Sequence, residues 1–133
     1  MINSRSKGAG AEREIITILY EQLGVKLARN LEQSRNGGYD LIPEPGSLLE
    51  PYAIEIKRYT KLSNALIKGF WLQTVKQAEA AKKTPVLLFR EDRAEWKSVI
   101  PLYSINPNLS TSTEIDDCAI VSLSTFCQIV RER

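Results

Sequence analysis

Three residues of this 133-residue chain have the types and spacing of a reaction centre: Asp40, and the pair Glu55 and Lys57 within Tyr52-Ala53-Ile54-Glu55-Ile56-Lys57. That segment alternates with a period of two. Ala53, Glu55 and Lys57 therefore share one strand face, while Tyr52, Ile54 and Ile56 share the other and point to the core. Asp40 follows a reversal signal at Asn36-Gly37-Gly38, where left-handed backbone angles cost little, and a hairpin there carries it to the edge of the same sheet. Two carboxylates with an ammonium beside them make a site for a hard divalent ion. Such ions, Mg²⁺ among them, take oxygen ligands, keep several waters and use one or two carboxylates together with a substrate phosphate. Asp40 and Glu55 suit that role.

Composition removes the main competing chemistries. The chain has no histidine, which excludes Ser-His-Asp and Cys-His nucleophile pairs, histidine general bases and histidine zinc sites. Cys118 and Cys127 stand nine apart with no Cys-x-x-Cys, and read as small apolar residues of a reduced interior. An acid-x-Lys triplet is not decisive by itself, since 16 acids and 9 lysines over 133 positions produce about one by chance. A second copy exists at Glu95-Trp96-Lys97, but its upstream Asp92 lies in the adjacent turn, not beyond a reversal of its own. Glu55 and Lys57 are the preferred pair.

These groups need elements to hold them. The first ten residues are small, polar and basic, with Arg5 and Lys7, and read as a mobile arm, flexible over about residues 1–8. Over residues 11–23, Ala11, Ile15, Ile18, Leu19 and Leu23 recur at spacings of three and four, and Gly24 stands where a left-handed cap ends a helix. Val25 and Leu27 open a strand, residues 39–42 form its hairpin partner, and Pro43-Glu44-Pro45-Gly46 breaks regular structure. Residues 65–83 read as a second helix with Ile67, Trp71, Val75 and Ala78 as its apolar stripe. The run Val86-Leu87-Leu88-Phe89 is a buried strand, Glu91-Asp92 a turn, and residues 96–102 a further strand. A polar loop over 106–117, a short strand over 118–123 and a helix over 124–131 complete the chain. A strand, a helix and a strand in that order imply one parallel crossover in a mixed sheet, so the fold class is α/β. With 43% hydrophobic residues, a single domain over 1–133 can fill its core without disulfides. No apolar run approaches the ~20 residues of a membrane span, and the expectation is a soluble, intracellular protein.

The octet Lys7-Gly8-Ala9-Gly10-Ala11-Glu12-Arg13-Glu14 opening a helix, then Arg29, a Ser/Gly-bearing turn, Asp40 and Glu55-Ile56-Lys57, taken in that order, resembles the archaeal-type Holliday junction resolvases of the PD-(D/E)XK nuclease superfamily. Trp71-Leu72-Gln73-Thr74-Val75-Lys76-Gln77-Ala78-Glu79 followed by Pro85-Val86-Leu87-Leu88 is similar to phage and prophage members. The resemblance implies a restriction-endonuclease-like core, a mixed central sheet flanked by helices. It implies that Glu12 is the helix carboxylate completing a metal and catalytic set with Asp40, Glu55 and Lys57, that Arg13 is its basic neighbour, and that either Arg29 or Arg35 meets the scissile strand. The implied cofactor is Mg²⁺, with Mn²⁺ able to substitute. At such a site a divalent ion neutralises the phosphate and helps ionise a water, while Lys57 orients that water or stabilises the charge that develops.

Charge distribution is an independent line. Residues 57–83 hold Lys57, Arg58, Lys61, Lys68, Lys76, Lys82 and Lys83 against Glu79 alone, a net +6, whereas residues 98–133 hold two arginines against four acids, a net −2. A local basic stretch beside a carboxylate cluster suits a phosphate backbone, although lysines on a polar helix face also serve solubility. Gln73 and Gln77 stand four apart on one helix face, where their amides reach the active site or a sugar-phosphate strand. The expected DNA contacts are thus Lys7, Arg13, Arg29, Arg35, Arg58, Lys61, Lys68, Gln73, Lys76 and Gln77. Trp71 and Trp96 are read as core, and Phe70 as an exposed or dimer-interface aromatic.

The expected activity is a metal-dependent DNA endonuclease that resolves branched DNA such as four-way junctions, in the cytoplasm of a bacterium or a phage-infected host. Two opposed cuts call for a twofold symmetric homodimer. The alternatives are a phage-type nuclease acting on flaps, nicks or duplex DNA, and a non-catalytic DNA-binding module of the same fold, which has no physical need for three crowded carboxylates.

Overall fold

The computed structural model describes residues 4–31 and 38–133, with the side chains of 8–31 and 38–133. Its elements follow in the order α1 (Ser4–Leu23), β1 (Leu27–Arg29), β2 (Leu41–Pro43), β3 (Tyr52–Tyr59), α2 (Asn64–Ala81), β4 (Thr84–Glu91), β5 (Lys97–Pro101), β6 (Cys118–Ser122) and α3 (Leu123–Arg131). The six strands lie side by side in chain order. β3 and β4 are parallel, joined by α2, and every other neighbouring pair is antiparallel. This is the mixed α/β sheet flanked by helices that the strand and helix periods predict.

The helices end where local chemistry ends them. Gly24, at φ 68°, donates its N–H to the Tyr20 carbonyl at 2.8 Å and closes α1. Ser63 caps α2 by accepting from the Leu66 N–H at 3.1 Å, and Lys82 terminates it in the left-handed region at φ 57°. Ser122 caps α3 through the Thr125 N–H.

Helices cover both faces of the sheet. Ala11, Ile15 and Leu19 of α1 and Phe126 of α3 pack with Tyr52, Ile54, Ile56, Val86 and Leu88. Ile67, Trp71 and Val75 of α2 pack with Leu87, Phe89 and Val99 on the other side. Successive β4 residues thus feed opposite layers, as a strand buried on both faces must. Trp71 and Trp96 are core, as expected, and the Trp71 indole N–H donates to the Thr113 carbonyl at 2.7 Å, tying down the long polar loop.

Two expectations change. The arm is helical from Ser4 onward: with α1 anchored through Ala11, Ile15 and Leu19, each further turn adds one hydrogen bond per residue fixed. Pro43 does not break the structure but closes β2 opposite Leu27, a strand-end position where its missing N–H is tolerated. The second face of β3, which carries Glu55, is buried as far as Ile56 because α2 lies over it. The turn residues Asn36 and Gly37 lie outside the described residues. Burial raises both thiols, Cys118 and Cys127, to about 11, so they are inert neutral groups. No helix among the described residues is long and apolar enough to cross a membrane.

Candidate active site

Asp40 stands just before β2, and the sheet fixes it from both sides. Its N–H donates to the Ile54 carbonyl at 2.9 Å, its carbonyl accepts from Asn30 at 2.8 Å, and its Oδ2 accepts from the Ile56 N–H at 2.7 Å. The last bond turns the carboxylate toward β3. There the parallel register sets Glu55 beside Leu87 and Lys57 beside Phe89, both residues of the α2 layer, so Glu55 and Lys57 face α2.

Asp40 is 6% exposed and Glu55 3%. Burial raises the Glu55 carboxyl to about 9; a hydrogen bond shared with Asp40 and the charge of Asp40 act in the same direction, while Lys57 and Gln77 oppose them. Near neutral pH the Glu55 carboxyl therefore keeps its proton, hydrogen-bonded with Asp40. Glu55 Oε2 is enclosed without a hydrogen-bond partner, and so is Gln77 Oε1. An oxygen-only pair of buried carboxyls with an orphaned acceptor fits a hard divalent cation, whose charge takes the place of the proton on Glu55. Asp40 and Glu55 are the residues that would hold it.

Glu12 is close enough to feel the charge of Asp40, but its Oε2 accepts from Arg29 Nε at 2.6 Å. Burial raises its pKa, and the Arg29 contact partly offsets this. Among the described residues no three His, Cys, Asp or Glu side chains gather as a metal cage. Glu12, expected as the carboxylate that completes the set, stands here with its carboxylate clasped by Arg29 in a charge-assisted bond.

The expected DNA contacts divide. Arg13, Lys61, Lys68, Gln73 and Lys76 are exposed, and Gln77 is half-buried against Glu55. Arg58 is the exception, because strand alternation sends it to the α1 face, away from Lys57. There its guanidinium meets Asp92 at 3.3 Å and Glu14 at 3.6 Å, so it is occupied within the fold. Arg35 and the side chain of Lys7 lie outside the described residues. Phe70, expected as an exposed or dimer-interface aromatic, is not fully exposed within the chain: it is half-buried, stacked on Tyr59 and lying under Lys57. The rival triplet separates cleanly, since Glu95 and Lys97 are exposed on either side of a buried Trp96.

Sequence reading missed Glu14 and Arg90. Glu14 Oε1 accepts from Arg90 Nη1 and from the Trp96 indole N–H, both at 2.8 Å, and joins α1 to β4. The available signal was Trp96 itself, since a buried indole N–H needs an acceptor. The cavity of about 340 Å³ beside this cluster, lined by Ile18, Gln22, Arg90 and Trp96 among others, contains none of the candidate site residues.

The chain matches, over residues 3–126, the family described as "Phage putative PDDEXK endonuclease". It belongs to this PD-(D/E)XK endonuclease family. Protein D14 of Escherichia phage T5 is 26% identical over 133 residues, an alignment covering 86% of this chain and 81% of that protein. The fold is similar to that of Hjc, a Holliday junction resolvase from Archaeoglobus fulgidus, with a TM-score of 0.56 at 18% identity, covering 92% of this chain and 97% of that one. For a PD-(D/E)XK endonuclease the substrate class is DNA, and divalent metals are the family's general requirement.

Proposed function

We propose that this chain is a Mg²⁺-dependent DNA endonuclease, with Mn²⁺ able to substitute, that cuts branched DNA of the four-way-junction type in the cytoplasm of a bacterium or a phage-infected host. The observation that carries the reading is the buried Asp40 and Glu55 pair, with Glu55 Oε2 enclosed and without a hydrogen-bond partner. Asp40 and Glu55 hold the cation, which when bound supplies charge neutralisation at the phosphate and a more acidic water. Lys57, on the same strand face two residues on, brings its ammonium to the phosphate, where negative charge grows during attack. Glu12 and Arg29 form a rim pair beside the carboxylates: Arg29 faces the scissile strand, and Glu12 acts on the site through its charge. Lys61, Lys68, Gln73 and Lys76 on the exposed surface of the β3 to α2 region, with Arg13, follow the sugar-phosphate backbone.

Likeness of fold to a Holliday junction resolvase supports the four-way junction as substrate, and opposed cuts require two sites, so a homodimer is part of the proposal. Labelled four-way junction, flap, single-stranded and linear duplex DNA are incubated with Mg²⁺ or Mn²⁺, with Glu55→Ala as control. Paired symmetric cuts in the junction that vanish in the control are the expected result. Preferential cutting of flaps, nicks or duplex keeps the nuclease and discards the junction. Tight binding with no cutting under either metal ion removes the catalytic reading.

A further inference from the structure

We propose that Phe70 is a positioning residue for Lys57, holding its ammonium at the site through a cation-π contact while Tyr59 holds the ring. This rests on the reading of Lys57 as part of the proposed nuclease site. Lys57 Nζ lies 4.9 Å from the centroid of the Phe70 ring, inside the ~6 Å reach of this interaction. The ring is itself fixed. It stacks on Tyr59 with centroids 5.3 Å apart and planes 17° from parallel, and its helix is pinned next door by the fully buried Trp71. Positions 57 and 59 share one face of β3, so the strand meets the ring of α2 at two successive positions on its α2 side, Lys57 half-buried and Tyr59 at the exposed rim.

The arrangement answers a specific difficulty. A lysine on a flexible four-carbon stem beside two acids tends to collapse onto them in an ion pair, which spends its charge. Among the described residues no carboxylate stands within ion-pair distance of Lys57 Nζ. An aromatic face attracts the ammonium without neutralising it, so the charge stays directed and remains available to a phosphate.

The test replaces Phe70 with pentafluorophenylalanine, which keeps the ring's shape and reverses the sign of its face. We expect kcat on the best DNA substrate to fall about tenfold, with KM within about twofold and an unchanged Tm. Phe70→Leu should lose kcat similarly, and Phe70→Tyr should keep at least half of it. Independently of activity, the Lys57 ε-methylene protons of the metal-free wild type should resonate upfield from the ring current, and Phe70→Leu should abolish that shift. Wild-type kcat in the fluorinated protein, or ε-methylene protons at random-coil positions in the wild type, overturns the assignment. Lys57→Met in the same assay separates the two layers: if it cleaves normally, the reading of Lys57 fails, whatever Phe70 does.

Discussion

Burial and the neighbouring Asp40 keep a proton on Glu55 to about pH 9 in the folded chain, whereas the unfolded chain releases it near 4.5. Between those values the native state binds one proton more than the unfolded state. The associated stability is complete below pH 4.5 and drains away as pH rises through 9, at a rate of at most about 1.4 kcal/mol per pH unit. Thermal unfolding of the metal-free protein should therefore show Tm falling from pH 5 to 9, and Glu55→Gln should flatten that slope. Because a ligand carboxyl must be deprotonated, Mg²⁺ should restore Tm most strongly at the alkaline end. Cleavage gives a sharper contrast between positions of similar local sequence. Asp40→Asn should lower the rate by at least roughly 10²-fold while DNA affinity changes only a few-fold. Glu95→Gln and Lys97→Ala, both on the surface, should leave rate and affinity unchanged in the same titration.

Within the elements, α2 decides what the site becomes, since it covers the face of β3 that carries Glu55 and brings Gln77 and Phe70 to it. Its two ends offer a matched pair of stability changes. Ser63→Ala removes the cap on the Leu66 N–H and should cost about 1 kcal/mol. Lys82→Gly relieves a side chain at φ 57° and should gain about 1 kcal/mol. Urea unfolding with an unchanged m value checks both. The apolar stripe of α2 and the run Val86-Leu87-Leu88-Phe89 were legible because core-facing periodicity is written in residue type. The closure of β3 over Glu55 was not, since the helix that covers it comes from a separate stretch of chain and leaves no mark in the local alternation. Glu14 was equally hidden: its partners lie 76 and 82 residues away, beyond any local pattern. Arg58 shows the opposite error, where a charge counted with a basic stretch is turned by the pleat to the far side of the sheet.

At the scale of the whole molecule, the basic stretch over 57–83 and the acidic tail over 98–133 give a small net charge and a strong local one. Lys61, Lys68 and Lys76 are exposed on the basic stretch. Replacing all three with glutamine should weaken DNA binding with little dependence on sequence and reduce the slope of log K against log salt by about 2 to 3, as read by fluorescence anisotropy. The parallel pairing of β3 with β4 has a further consequence, in time. Hairpin partners can meet as soon as both are made, but β3 gains its parallel neighbour only after α2 has been synthesised and folded across the sheet. A chain emerging from the ribosome exposes Asp40, Glu55 and Lys57 well before residues 84–91 exist to complete the layer that buries Glu55. The nascent chain thus carries Asp40, Glu55 and Lys57 without the enclosure that buries the two carboxyl groups, and the candidate site is complete only with the finished sheet.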